Sequence, residues 1–353
     1  MRKPWLVLVG GFLGAGKTTL ILAAARELNR RGMRSAAIMN DQGEGLVDTQ
    51  FTRANGVPAG EVTGGCFCCR LSDLVSAARD LAATSPDVIF AEPVGSCTDI
   101  SATTIRPLLR DHFDEFRLAP YSVLIDPARA LELNSLDPDD DFTFLFHKQI
   151  EEADLVCWTK SDIRAIPDSV FPDARRLSAK TGEGVAVWLD EILSGELAAG
   201  RTILDIDYAR YARAEAALAW LNLDLTLHAR RPLTPAMVIG PFVDEIALAL
   251  AQSGVSIAHL KIVCESASGV LKAALCGNAG DPDVDGALDA SPALRHQVRL
   301  NLRARGAPVL VSETVMQAAH RLPGEIRIDR SACFQPAPPK PERTARSPHE
   351  ATG

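Results

Sequence analysis

Gly10-Gly11-Phe12-Leu13-Gly14-Ala15-Gly16-Lys17-Thr18-Thr19 decides how this chain is read. Residues Gly11 to Thr18 fit G-x-x-x-x-G-K-[ST]. Before them, Trp5-Leu-Val-Leu-Val9 is apolar throughout, as suits a buried strand; after them, Leu20–Ala25 is rich in helix formers. Strand, glycine loop and helix are the context a phosphate-binding loop requires. Gly11, Gly14, Ala15 and Gly16 let backbone N–H groups turn toward phosphate oxygens, and the helix start adds partial positive charge. Lys17 is expected on the β- and γ-phosphates, the Thr18 hydroxyl on Mg²⁺, and Thr19 beside them.

Working outward, 353 residues are too many for one typical core, so two domains are expected. A net charge of −8 argues against general nucleic-acid binding, which needs a basic surface. The apolar start runs straight into the glycine loop and offers no separate cleavage site, and no run long enough to span a membrane stands out. A cytoplasmic protein without membrane partners is the expectation. In that setting the 8 cysteines read as metal or redox chemistry before disulfides.

The helix from Lys17 should end at Gly32, and Ser35–Met39 should form a strand. Asn40-Asp41-Gln42-Gly43-Glu44-Gly45-Leu46-Val47-Asp48 then places three acids and two glycines in nine residues, a mobile loop suited to a metal or phosphate-bound Mg²⁺. Gly64-Gly65-Cys66-Phe67-Cys68-Cys69 is a C-x-C-C cluster. Thiolates bind Zn²⁺, Cu(I) or Co²⁺, and three ligands leave a fourth position open, which favours exchange over a closed structural site. After a helix over Leu71–Ala83, Asp87–Glu92 reads as a strand ending in Glu92-Pro93-Val94-Gly95. In a phosphate-loop fold such a strand lies beside the first; its terminal acid faces Mg²⁺, and Gly95 can offer an N–H to the γ-phosphate. Cys97, two residues on, is a candidate to join the metal site.

Tyr121–Asp126 is a further strand, and the helix Phe142–Glu152 carries its apolar residues at helical spacing. The strand Leu155–Trp158 leads into Thr159-Lys160-Ser161-Asp162, a variant of the N-K-x-D guanine motif. Its Asp162 would accept from guanine N1 and N2, donors adenine lacks, while the Lys160 stem packs on the base. Ser178-Ala179-Lys180 supplies the element whose backbone meets guanine O6. Together these point to GTP rather than ATP.

With GGFLGAGKTT, NDQGEGLVD, GGCFCC, AEPVG, TKSD and SAKTGEGV in order from residue 5 to about 190, the chain resembles the CobW-type GTPases, relatives of HypB and UreG. The resemblance implies GTP hydrolysis coupled to delivery of Zn²⁺ or Co²⁺. It implies that Cys66, Cys68 and Cys69 hold the ion, with Glu44 a further candidate. Asp41 and Glu44 fall in the first switch loop, Glu92 and Gly95 in the second, and Lys17, Asp41 and Glu92 are the residues expected to act on phosphate. The implied partner is a client metalloenzyme or a cobalamin- or corrinoid-related protein; a homodimer is one arrangement the sequence allows. Rival readings are an accessory GTPase that gates or repairs a corrinoid enzyme with structural thiols, and a small-molecule kinase using the same loop. The 7 histidines are scattered, so the His-rich tract of many relatives is missing.

The expected fold class is α/β, a phosphate-loop domain with a mostly parallel sheet over 1–195, then a linker over 196–206. A smaller α+β domain follows over 207–330, with an antiparallel sheet and helices on one face, signalled by the alternation of Leu221, Leu223, Leu225 and Leu227 with polar residues and by the helix Pro235–Gln252. The Pro-rich stretch 331–353 reads as a disordered tail.

Overall fold

A computed structural model describes residues 3–345, except Leu136, Pro138 and 167–170. The chain forms two units: Met1–Gln42, Asn55–Ala214 and Pro339–Gly353 make the first, and Gly43–Ala54 with Glu215–Pro338 make the second.

In the first unit β1 (Trp5–Gly11) leads into α1 (Lys17–Arg30), and β2 (Ser35–Asn40) follows. The next element, α2 (Val47–Ala54), belongs to the second unit. Then come β3 (Ala59–Val62), α3 (Leu71–Ala82), β4 (Val88–Glu92), a π-helical turn over Ser101–Ile105, α4 (Arg106–Asp111), β5 (Arg117–Leu118) and β6 (Ser122–Ile125). They are followed by α5 (Pro127–Asn134), α6 (Asp141–Glu151), β7 (Leu155–Trp158), β8 (Arg175–Arg176), α7 (Val185–Leu193) and α8 (Tyr208–Ala216). The sheet order is β3-β2-β4-β1-β6-β7-β8, with β5 added to β1, and the pairings are parallel. Parallel strands covered on both faces read as continuous apolar runs, which is why every residue of β1 is buried. The strand order changes direction at β1, so the C-terminal ends of β1 and β4 meet at the switch point, where open parallel sheets bind ligands. The expected α/β phosphate-loop fold is present.

The second unit is a six-stranded antiparallel sheet in the order β12-β11-β10-β13-β9-β14. Its strands are β9 (Leu218–Leu233), β10 (Ser256–Ser266), β11 (Gly269–Leu275), β12 (Asp283–Gly286), β13 (Ala293–Arg305) and β14 (Gly324–Phe334); its helices are α9 (Pro235–Gln252) and α10 (Pro308–Ala319). Leu221, Leu223 and Leu225 of β9, Leu260 and Ile262 of β10, and Val298, Leu300 and Leu302 of β13 join Phe242, Ile246 and Val315 of the helices in one core. Although α9 is long and apolar enough to cross a membrane, Val238, Phe242 and Ile246 on it are buried in this core.

The alternate residues of the same strands take α2. Asp48 pairs with Lys261 and with Lys272, the latter at 2.9 Å; Val47 N–H donates to Asn301 Oδ1 at 2.9 Å, and Gln50 Nε2 donates to Glu265 at 2.7 Å. Burial pushes the Asp48 carboxyl up, but the two ammonium groups outweigh it and hold it well below the ordinary range.

Three boundaries therefore differ from the expectation. The stretch 43–54 groups with the second sheet, because that sheet offers cations and an amide to its acids and N–H groups. The proposed linker 196–206 is pinned within the first unit: Asp154 accepts from Gly200 N–H at 2.7 Å and Arg201 N–H at 2.9 Å, and Leu204 and Ile206 are buried. The tail does not begin at 331, since β14 runs to Phe334 along β9, and residues 340–345 bond to the first unit. Residues 346–353 lie outside the described residues.

Candidate phosphate and thiol sites

The glycine loop closes by backbone means. Gly16, at φ 88°, is the left-handed residue that starts α1. Lys17 Nζ donates to Gly11 O at 2.8 Å and is buried, so the cation is folded into the loop that would cradle phosphate. Thr18 Oγ1 donates to Glu92 Oε2 at 2.8 Å. A hydroxyl and a carboxylate side by side are hard oxygen donors of the kind Mg²⁺ prefers, so the residues present fit that ion. Gly95 lies against the same loop: a Cβ there would stand 2.8 Å from Leu13 Cδ2 and 3.2 Å from Lys17 Nζ. The glycine is needed for this close approach. Asp41 is half-buried at the end of β2, and its N–H donates to Val62 O at 3.2 Å.

The T-K-x-D and Ser-Ala segments also lie in this unit. Thr159 Oγ1 donates to Ala15 O at 2.9 Å, tying the T-K-x-D segment to the glycine loop. Lys160 takes φ 57° and pairs with Asp126 at 2.9 Å. Ser161 N–H donates to Leu177 O at 3.3 Å, which brings Ser178 and Ala179 beside it, while Asp162 is exposed.

The thiol loop is built by side chains. Asn40, the last residue of β2, donates through Nδ2 to Val62 O (2.9 Å) and Gly65 O (2.7 Å), and its Oδ1 accepts from Phe67 N–H (2.9 Å). One buried amide thus fixes both arms of the cysteine loop. Within it Cys66 Sγ lies 2.6 Å from Cys68 Sγ and 3.5 Å from Cys69 Sγ, and Cys68 and Cys69 are 3.6 Å apart. Cys97 brings a further sulfur 4.0 Å from Cys68. The sulfurs of Cys66, Cys68 and Cys97, all buried, lie within 4.8 Å of one another. A tetrahedral ion with Zn–S bonds of about 2.3 Å sets its sulfurs about 3.8 Å apart, so most of these spacings already approach a metal-binding geometry.

The crowding has an electrostatic consequence. Cys68 is pushed well above the ordinary thiol value by the Cys66, Cys69 and Cys97 thiols and then by burial. The Cys66 thiol and then burial, opposed by the Cys68 thiol, hold Cys69 at about 11. Clustered sulfurs resist ionising together without a cation, and a bound ion reverses that penalty.

The segment carrying Cys97 is itself held firmly. Gln149 Nε2 donates to Gly95 O at 3.0 Å and Cys97 O at 2.9 Å. Tyr211 OH donates to Cys97 Sγ at 3.5 Å and accepts from Thr98 N–H at 3.2 Å. Glu152, fully buried, accepts from Thr98 Oγ1 and Ser101 N–H, both at 3.1 Å; burial raises its carboxyl to about 8.

A family model described as CobW/HypB/UreG, nucleotide-binding domain, matches residues 5–179. Residues 5–179 belong to that family. Zinc chaperone YjiA of Escherichia coli (strain K12) is similar to the chain, 27% identical over 183 residues, which are 51% of this chain and 56% of that protein. Zinc chaperone YeiR of the same organism is 30% identical over 168 residues, 46% of this chain and 48% of that one. The chain spans about half the length of the curated relatives it matches. Among solved structures, Zn(II)-bound YjiA GTPase from E. coli is 18% identical with a TM-score of 0.35, covering 91% of this chain and 99% of that one. HypB from Helicobacter pylori in complex with nickel is 17% identical with a TM-score of 0.40, covering 55% and 90%.

Within this CobW/HypB/UreG domain Thr18 meets Glu92, and Gly95 lies against Lys17. Cys69 stands at the rim of the thiol group, half-buried, and Cys97 takes the third buried place. Glu44 belongs to the second unit, where Arg330 holds its carboxylate at 3.0 Å. Sequence reasoning passed over Asn40 and Gln149. Gln149 was findable: it lies four residues after Leu145 and three after Phe146, a polar side chain on the buried stripe of α6. Asn40 ends a buried strand but sits among acids and glycines, where its role looks no different from theirs.

Proposed function

We propose that this chain is a Mg²⁺-dependent GTPase that carries Zn²⁺, with Co²⁺ the alternative cargo, and passes it to a client protein. The observation that carries the reading is the gathering of Cys66, Cys68 and Cys97 sulfurs within 4.8 Å, with Cys97 only two residues beyond Gly95. The names of YjiA and YeiR as zinc chaperones support zinc over cobalt. Mg²⁺ would be held by Thr18, with Glu92 beside it, and would neutralise charge between the β- and γ-phosphates.

Hydrolysis cleaves the γ-phosphate from GTP with water and yields GDP and inorganic phosphate. Lys17 would leave Gly11 O for the phosphate oxygens. Gly95, pressed against Lys17, would sense the γ-phosphate through its backbone. Gln149 holds the carbonyls of Gly95 and Cys97 together, so a shift at one is felt at the other. With GTP bound, the turn would seat Cys97 on the ion; after hydrolysis it would relax and leave a weaker site from which the ion departs.

The test is competition of Zn²⁺ against a chromophoric chelator, in Mg²⁺ with GDP and then with a non-hydrolysable GTP analogue. The expected outcome is tighter binding in the GTP state by about 5–150-fold, the usual range of coupling between two sites. By linkage Zn²⁺ must raise affinity for the analogue by the same factor. Equal zinc affinity in the two states would leave only a structural thiol site.

A further inference from the structure

The C-terminal segment Pro339–Ala345 lies on the thiol loop in a way that proline-rich composition conceals. Lys340 N–H donates to Cys69 Sγ at 3.1 Å, and Glu342 N–H donates to Cys68 O at 2.9 Å. Ala345 N–H donates to Ala102 O at 2.9 Å. The Glu342 carboxylate accepts from Ser72 N–H and Ser72 Oγ, both at 2.9 Å. Ser72 is in the first turn of α3, whose N-cap, Arg70, supplies no side-chain hydrogen bond. The strap's carboxylate therefore satisfies an N–H that the helix leaves open.

The sequence Pro339-Lys340-Pro341-Glu342 suits this seat. Prolines have no N–H, so the donors fall at alternate residues, and both Lys340 and Glu342 aim theirs at the cysteine loop. Pro339 and Pro341 are half-buried while Lys340 and Glu342 are exposed, the alternation of an extended segment lying on a surface. Two prolines pre-set that conformation and lower the entropy lost on docking.

We propose that residues Pro339–Ala345 are a built-in strap that closes the outer face of the thiol cluster and must lift for an ion to pass. Cys69 is the member of the loop that reaches the surface, and the strap occupies its sulfur as an acceptor. Cys66, Cys68 and Cys97 lie buried behind it. The gating role rests on the metal-carrier reading above; the docking itself does not.

The experiment separates the two. Lys340→Pro keeps an extended backbone but deletes the N–H to Cys69, and Glu342→Ala deletes the carboxylate on Ser72. A chain ending at Pro338 removes the strap altogether. Labelling of each full protein with an aromatic disulfide, followed by mapping of modified peptides, reads Cys69 against the half-buried Cys276 and Cys333 as internal controls. Cys69 should label about five- to tenfold faster in both point variants, as loss of one or two docking bonds predicts, and faster still in the shortened chain. Cys276 and Cys333 should not change. A synthetic peptide of residues 336–345 should restore protection to the shortened chain, and the same peptide with Lys340→Pro should not. Transfer of Zn²⁺ from the loaded protein to a chelator should accelerate in parallel. Unchanged Cys69 labelling would overturn the strap. Faster labelling with unchanged zinc transfer would overturn its role as a gate. Labelling as expected in a protein that binds no zinc would leave the docking standing and overturn the metal-carrier reading instead.

Discussion

The phosphate loop and the thiol loop occupy the same unit and are built by opposite means. The first is a backbone device: Gly16 turns the chain, Lys17 folds onto Gly11 O, and a hydroxyl–carboxylate contact, Thr18 to Glu92, ties it to the neighbouring strand. It carries its own positive charge and needs an anion. The second is a side-chain device: Asn40 holds the arms, four sulfurs crowd together, and Gln149, Tyr211 and Glu152 brace the segment that brings Cys97. Its charge is latent, because the thiols stay protonated until a cation arrives. A backbone cradle tolerates most side-chain changes outside its glycines and its lysine. A side-chain cradle should fail piece by piece.

That contrast can be broken or sharpened by mutation. The largest effect is expected from Lys17→Ala, which removes the cation of the Gly11–Thr18 loop. GTP turnover should fall by about 10²–10³-fold, the usual cost of losing a transition-state charge partner, while zinc affinity in GDP stays unchanged. Phosphate release assays and chelator competition on the same preparation check both halves. A parallel loss of zinc binding would mean that the two loops are one structural piece.

Next comes Glu152. Its folded carboxyl is raised to about 8 from an ordinary 4.5. A raised value means that its contribution is intact below about 4.5 and is lost as pH rises through 8. Glu152→Gln keeps an acceptor for Thr98 and Ser101 without the charge. The variant should match the parent near pH 4.5 and exceed it by about 3 kcal/mol at pH 7, read by urea unfolding at a series of pH values. Parallel curves for the two proteins would show that Glu152 does not titrate in this window.

The sulfurs should then rank by position. Cys66→Ser, Cys68→Ser and Cys97→Ser should each weaken Zn²⁺ by on the order of 100-fold, while Cys69→Ser at the rim costs roughly tenfold. If Cys69→Ser proved the costliest and Cys97→Ser neutral, the adjacent-cysteine reading would replace the buried triad. The smallest effect belongs to Asn40→Ala. It removes the partner of Gly65 O and Phe67 N–H, leaves Val62 O to Asp41 N–H, and should cost about 2 kcal/mol of stability, partly regained through water. Zinc affinity should fall further than GTP affinity, since the amide holds only the thiol loop. An equal loss of both would contradict the separation.

The chain's ends and edges were harder to read than its motifs. Proline and charge in 331–353 suggest disorder because such composition cannot build a core. Yet β14 continues to Phe334, and Pro339–Ala345 needs no core because it borrows acceptors from Cys68, Cys69 and Ala102. Likewise the acids of 41–48 suggest one mobile loop. The structure divides them: Asp41 stays with the parallel sheet, while Glu44 and Asp48 meet Arg330, Lys261 and Lys272 in the second unit. Whether an acid is solvated or paired depends on cations more than 200 residues away, as the separations of 213 and 224 residues here show.

The sequence by itself determined the strand–loop–helix at residues 5–30, the parallel α/β sheet and the presence of three thiols in four residues. These are local statements, in which spacing along the chain dictates spacing in space. The tertiary structure decided which sulfurs meet, which amide holds them, where the acidic loop divides and what the last prolines lie on. Cys97 is 29 residues from Cys68, and the sheet order β3-β2-β4, which brings the loop after β3 and the segment after β4 to the two sides of the end of β2, lets their sulfurs come to 4.0 Å.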